Sequence, residues 1–423
     1  MPSPLPQHAD EASFLWLLRS RAVWLPHYRL KDLAKLDGRV EAHVDALRIG
    51  GDDAWELCKE NLDNFPEPGE AFAAASVAFE SGKQDRIDHV LNHARDNPVL
   101  RAPIVSALAW DAQRLFTPRA AALAQSTDPL LQHLALATHA LLRTDPGPLL
   151  ATALKSSDAP LRARALKAIG ELRRADMLFE AQAALADKDA ACAFHAAYSC
   201  VLLKHAAAIP ILRRIAESSP DPLPASSFPV RAAILAVRAM PLAESSAWHR
   251  ELTMKKLLRP AVHVAGASGD AAHVPWLLEQ LGNPLASRLA GESISLITGV
   301  DLAYEDLDLT VYPEDPQGPT EDAEDDNTLP DPDSYLPWPD PAKLQAWWKA
   351  TASKLPAGKR LLCAKPIDPA QAASVLVTGF QRQRRAAAIE LALHSPKDPL
   401  ANTAARADRL PRSRNQAHEL ARP

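Results

Sequence analysis

Three stretches decide the fold: DNPVLRAPIVSALAW (residues 96–110), DPLLQHLALATHALL (128–142) and DAPLRARALKAIGEL (158–172). Their prolines, Pro98, Pro129 and Pro160, stand 31 residues apart, each preceded within two positions by an Asp and followed by an apolar, Ala-rich run. A side-chain carboxylate can accept from the free amides of a first helical turn. Pro at that turn loses nothing, because its amide would be unpaired there. Each Asp-Pro pair therefore marks a helix start. In the third stretch Leu161, Ala165, Ile169 and Leu172 recur at helical spacing, the stripe of a helix buried on one face. A second helix is expected over Met177, Phe179, Ala184 and Leu185 before Asp187 closes the unit, with others near Pro118, near Pro148 and around Ile209. Two helices in one fixed interval define a helical solenoid of the HEAT-like kind, although HEAT repeats usually run about 40–47 residues. Pro103 cannot lie inside a helix begun at Pro98, so the first helix of that unit is expected to start later.

The pattern continues with defects. Thirty-one residues after Pro160 comes Ala191, where Asp189 keeps the cap but the Pro is lost. The next step reaches Pro222 in SPDPLPASSFPV, yet the apolar run follows Pro229, so seven residues are inserted. Pro260 lies 31 beyond Pro229, and a shorter interval leads to Asn283 and Pro284, which open NPLASRLAGESISLI. Proline (37) outnumbers glycine (15), the reverse of ordinary usage, as expected where proline punctuates helices. The expected class is all-α: a helical N-terminal cap (1–80), HEAT-like repeats (81–300), an acidic Pro-rich insert, loop or disordered (301–340), and C-terminal helices with a basic tail (341–423).

Charge is unevenly spread. Residues 301–340 hold 14 Asp and Glu and no Lys or Arg; without them 47 basic face 38 acidic residues, so the formal −5 conceals a body of +9. The segment YPEDPQGPTEDAEDDNTLPDPD is too polar to fold alone and reads as a solvated loop. The sharper alternative is an autoinhibitory or partner-mimicking strip lying against a basic face. The N-terminus lacks a basic start with a long apolar core, and no run reaches the roughly 18 apolar residues of a membrane span, so a soluble, cytoplasmic protein is expected. Cys58, Cys192, Cys200 and Cys363 show no C-x-x-C spacing, which argues against a disulfide framework or zinc knuckle.

After the insert, AKLQAWWKA places Trp347 and Trp348 on a short helix. GFQRQRRAAAIELAL then crowds Arg382, Arg384 and Arg385 at a helix start, where positive charge opposes the dipole. These arginines are expected to meet carboxylates of the preceding repeat or a partner. Adjacent helical positions cannot both face one core, and for Trp347 or Trp348 taken individually the favoured reading is packing that caps an end of the solenoid.

The blocks FLWLLRSRAVWLPHYRLKDLAKLDGRVEAHVDALRIGG (14–51), SLITGVDL (295–302) and GFQRQRRAAAIELAL (379–393) resemble those of an uncharacterised proteobacterial family of HEAT-like helical repeat proteins. The resemblance implies helical repeats and, for many members, genes near type VI secretion loci. It supplies no activity and no catalytic residues. A wider group of HEAT-repeat proteins pairs an ITG-x-D/N segment with a W-x-x-WW helix; here the acidic insert between ITGVDL and AWW is longer than that pattern leads one to expect.

Templates for chemistry mostly fail. His89 and His93 in DRIDHVLNH stand at i, i+4 with Asp85 and Asp88 nearby, but Val90 occupies the place where HExxH needs Glu, and the ordinary reading is a solvated helix face. Cys192, His195 and Cys200 share a helix without a fourth ligand and read as core. GASGD (266–270) is one residue short of a nucleophile elbow and follows no strand, DLDLTVY has Val311 where a calcium loop needs Gly, and there is no phosphate-binding glycine loop. No cofactor, metal or catalytic residue is therefore expected. The sequence points to a non-enzymatic protein-binding scaffold or adaptor, with His27, Tyr28, Trp347, Trp348, Arg382, Arg384 and Arg385 as candidate partner contacts. The alternative is a nucleic-acid-binding HEAT-like protein, a reading weakened by the scatter of Arg101, Arg162, Arg164 and Arg231 over helix starts.

Overall fold

The computed structural model describes residues 4–219, 222–311, 313, 331–395 and 397–409. It is 71% helical, with 21 α-helices among the described residues and one two-stranded hairpin, Leu361–Leu362 against Lys365–Pro366. The fold is all-α and HEAT-like. The chain divides into two compact units. One comprises Met1–Val23, Tyr28–Glu180 and Ala401–Pro423, the other Trp24–His27 and Ala181–Leu400.

Repeats begin where the capping chemistry says. The carboxylate of Asp128 accepts from Leu130 N at 2.8 Å, Asp158 from Leu161 N at 2.8 Å, and Asp189 from Cys192 N at 2.8 Å. These open the helices Pro129–Leu142, Ala159–Glu171 and Ala190–Leu202. At Pro98 a single 3₁₀ turn intervenes, and the α-helix begins at Arg101, which places Pro103 in its first turn, where no amide is required. After the seven-residue insertion the helix starts at Phe228, with Pro229 in its first turn. The repeat opened by Asn283 begins its helix only at Ser287.

Helix ends carry a signal that the prolines do not. Arg143, Arg173 and Lys204 adopt positive φ (59°, 58° and 66°) just beyond three successive first helices. The amides that follow them, Thr144, Arg174 and His205, reach back five residues to the carbonyls of His139, Ile169 and Cys200 at 2.9 Å each. This is the Schellman closure, in which glycine is usual. A basic side chain instead accepts the left-handed cost of roughly 1–2 kcal/mol and sets positive charge at the negative end of the helix dipole.

Second helices are short: Ala120–Gln125, Leu149–Leu154, Leu178–Ala183 and Ile209–Ala216. That brevity accounts for a repeat below the usual HEAT length. Within the first unit the helices Arg101–Trp110, Pro129–Leu142 and Ala159–Glu171 pack in succession. Within the second, Ala190–Leu202, Phe228–Ala239, Leu258–Ser268 and Ser287–Thr298 do the same. Alanines such as Ala135, Ala165, Ala196, Ala236 and Ala265 are fully buried and let these helices approach closely.

The flanks of the acidic insert depart from the solvated loop expected of it. Residues 312 and 314–330 lie outside the described residues, but both flanks are packed. Leu302 and Leu307 join the core of the second unit, and Leu336 and Trp338 are buried. Asp333 forms a two-pronged ion pair with Arg259 at 2.7 and 2.9 Å, and Asp331 pairs with Arg288 at 2.7 Å, all four side chains at most 5% exposed. Trp338 carries the Arg288 guanidinium over its ring. Two of the acids that composition assigns to water, Asp331 and Asp333, are therefore counter-ions of buried arginines.

A glycine fixes the hairpin in the same unit. Gly269 has φ +70°, and a Cβ there would lie 2.4 Å from the Leu361 carbonyl oxygen, while Leu361 N donates to Gly269 O at 2.7 Å. The neighbouring Arg360 donates to the carbonyls of Val237 and Met240, the end of a repeat helix.

Candidate functional site

A sizeable cleft lies in the first unit. It has a volume of about 640 Å³. Its floor is aromatic: Trp110 and Phe116 are nearly buried, and His139 meets Phe116 edge-on at 4.9 Å. Charges of both signs surround them, with Glu41, Asp111 and Asp408 against Arg406 and Arg409. Trp110 Nε1 donates to Glu41 Oε2 at 2.6 Å, and Arg406 contacts the same oxygen at 2.5 Å while lying 4.9 Å from the Trp110 ring centroid. Burial alone would raise the Glu41 carboxyl, but Arg406, the Trp110 indole and Arg48 outweigh it and hold its pKa below the ordinary value. Desolvation lowers His139, so the imidazole is neutral at pH 7.

One wall of this cleft comes from the far end of the chain. Residues 401–409 return to the N-terminal helices, where Arg19 pairs with Asp37 at 2.8 Å and donates to the carbonyls of Ala404 and Ala405. Asp37 Oδ2 in turn accepts from Ala407 N at 2.7 Å, and Asn402 donates to Leu141 O. Arg409 donates to Trp110 O at 2.8 Å. The expected basic tail thus begins as a strap that completes the cleft.

The expected partner contacts fall elsewhere and divide. His27 is exposed beside Tyr335, with ring centroids 6.1 Å apart, and Tyr28 is half-buried. Trp347 and Trp348 both pack, half-buried, on the core of the second unit, and Trp347 Nε1 donates to Glu305 at 3.1 Å. The expectation that only one could face that core is corrected. Positions 100° apart both border the apolar stripe, and a large indole reaches the core from either edge.

The arginine cluster is corrected more strongly. Arg384 is fully buried; its Nε donates to Leu376 O, at the end of the preceding helix, and its guanidinium to Gln381. Arg385 lies 3.0 Å from the centroid of the Trp24 ring. Burial, with Arg231 and Arg382 close by, lowers its pKa well below the ordinary guanidinium value. Arg382 faces Glu292, whose carboxyl is pushed up to about 7 by burial, while Arg382 opposes that rise and Asp333 and Asp301 add to it. These cations are internal fittings of the second unit rather than an exposed patch: Arg382 faces a carboxyl of the preceding repeat, as expected, whereas a carbonyl and an indole meet Arg384 and Arg385.

A second constellation lies in the first unit. The kinked helix Leu30–Asn64, broken by Gly51 at φ 54°, ends beside the helix Gln84–Asp96. There Asp63 Oδ1 receives His89 Nε2 at 2.7 Å and His93 Nε2 at 2.9 Å. Burial opposes ionisation of Asp63, but Lys59, His93 and His89 prevail and hold it at about 2. Sequence reasoning looked to Asp85 and Asp88 as companions of this histidine pair, yet the converging acid comes from 26 residues upstream. Cys192, His195 and Cys200 make no comparable site: both sulfurs are buried thiols, and His195 packs against Phe194 and Phe228.

Against known proteins, the family model for HEAT repeats matches residues 147–228. That match lies within an all-α, HEAT-like solenoid, and HEAT repeats generally act as protein-interaction scaffolds. No curated protein matches the chain significantly. No helix among the described residues is long and apolar enough to cross a membrane.

Proposed function

We propose that the protein is a non-enzymatic scaffold or adaptor that captures a segment of a partner protein in the cleft bounded by Glu41, Trp110, Phe116, His139 and Arg406. The observation that carries this reading is the cleft itself. An aromatic floor ringed by charges of both signs suits a chain that offers apolar side chains together with backbone amides and carbonyls. Its rigid groups are already paired with one another, so little ordering remains to oppose binding. On the family resemblance, the partner is a type VI secretion component, an effector or a toxin to be neutralised.

The nucleic-acid alternative is disfavoured by what the arginines already hold. Arg162 donates to the carbonyls of Ser156 and Ser157, Arg164 pairs with Glu171, Arg174 with Asp145 and Asp176, and Arg213 with Glu251. A phosphate backbone needs a stripe of available cations, and its capture would weaken steeply with salt. Capture of a partner by the full chain from its native cell, set beside a nucleic-acid shift assay at moderate salt, tests the two classes. A co-purifying protein with no shift supports the scaffold; a shift that collapses with salt supports the alternative.

A further inference from the structure

The geometry points to a binding site for a divalent transition cation, zinc or its neighbours, formed by His89, His93 and Asp63 in the first unit. The three ligand atoms lie within 4.8 Å of one another. His89 and His93 stand one helical turn apart, so both imidazoles project from one face of Gln84–Asp96. Tetrahedral zinc holds nitrogen and oxygen at about 2.0–2.2 Å, which spaces its ligands by about 3.3 Å. The two acid–imidazole separations of 2.7 and 2.9 Å need open by roughly 0.5 Å to admit the ion, and the imidazole nitrogens, within 4.8 Å of each other, need close by at most roughly 1.5 Å.

The surroundings hold these ligands in place. Buried Trp55 meets the His89 ring edge-on at 5.9 Å. Arg86 lies over that indole at 5.4 Å and reaches Asp52 at 2.7 Å, tying the histidine helix to the kinked one just past Gly51. Lys59 Nζ donates to Asp63 Oδ2 at 2.7 Å, which leaves Oδ1 turned to the two imidazoles. Such an outer hydrogen bond orients a ligating carboxylate. Side-chain exposures of 28%, 24% and 34% for His89, His93 and Asp63 leave a path for the ion and a coordination position for water or a partner's side chain. Two imidazoles and one carboxylate suit zinc, nickel, copper or iron, whereas calcium and magnesium require an oxygen cage. The HExxH failure at Val90 bears on a catalytic glutamate, not on ion binding.

The test is titration of the untagged full chain with Co²⁺, read by visible absorption, and with Zn²⁺, read by calorimetry. One equivalent is expected to bind, with millimolar Mg²⁺ and Ca²⁺ failing to displace it. H89N/H93N is expected to abolish that equivalent. D63N should weaken it at least as much as the roughly 10–100-fold typical of outer-shell losses. H8N/H43N, which removes the other close imidazole pair of this unit, should leave it unchanged. All three positions are partly exposed, so a melting curve like that of the parent will show that the variants fold. Absence of saturable uptake, displacement by Mg²⁺ or Ca²⁺, or undiminished binding by both folded H89N/H93N and D63N would overturn the assignment.

Discussion

Replacing Asp333 by Ala should destabilise the second unit severely, although composition places Asp333 in a solvated acidic loop. Its carboxylate meets the Arg259 guanidinium at 2.7 and 2.9 Å, and both side chains are at most 5% exposed. At such a distance the gross attraction is about 6 kcal/mol for an effective dielectric of about 20, and desolvation of both ions offsets much of it. Removal of one partner is a different matter. The guanidinium would stay buried with the Leu285 carbonyl as its remaining hydrogen-bond partner described here, a loss of about 3–5 kcal/mol. For a unit of about 220 residues each kcal/mol moves the melting temperature by roughly 2–4 °C, so D333A should melt roughly 6–20 °C lower. Removing both charges, as R259M/D333L, should recover most of that loss, because the buried pair itself adds little net stability. Circular dichroism melts of the three proteins decide it. A D333A shift under about 2 °C would refute the reasoning and return this flank of the insert to solvent.

The second and third predictions follow from the same structure. Burial raises the Glu292 carboxyl to about 7, so the folded chain holds a proton that the unfolded chain releases near 4.5, and stability falls as pH rises between those values. E292Q should therefore match the parent in urea unfolding at pH 4 and exceed it by roughly 1–3 kcal/mol at pH 8; equal stability at pH 8 would contradict the buried-carboxyl account. Asp158→Ala removes the carboxylate that accepts from Leu161 N and should cost about 1 kcal/mol in urea unfolding. An unchanged midpoint would deny it the capping role.

Helix starts were legible in the sequence because capping is local. Asp128, Asp158 and Asp189 each bond an amide two or three residues away, and the proline beside two of them reports the same turn. The closures at Arg143, Arg173 and Lys204 are equally local, but they escape a reading that looks for glycine at helix ends. What could not be read depends on long-range partners. The Asp37 contacts to residues 401–409, and the burial of Asp331 and Asp333, join segments tens to hundreds of residues apart. Arg384 misled for a different reason, since its partner eight residues away, Leu376, offers a backbone carbonyl, which has no residue signature. Asp63 shows the limit most plainly, because half of its site, the i, i+4 histidine pair, was visible while the acid opposite waited on the packing of two helices.

The proposed scaffold stands or falls on the cleft. Gln113 and Ala120 line it without forming its paired floor, so Q113W/A120W fills the space and leaves Glu41, Trp110 and Arg406 in place. Quantitative mass spectrometry of proteins captured from the native cell by the parent and by this variant is the most direct measurement. At least one protein enriched at comparable stoichiometry with the parent, and at least tenfold less with the variant, is predicted. Equal capture by both, or no protein enriched by the parent, would contradict the cleft as the partner's seat.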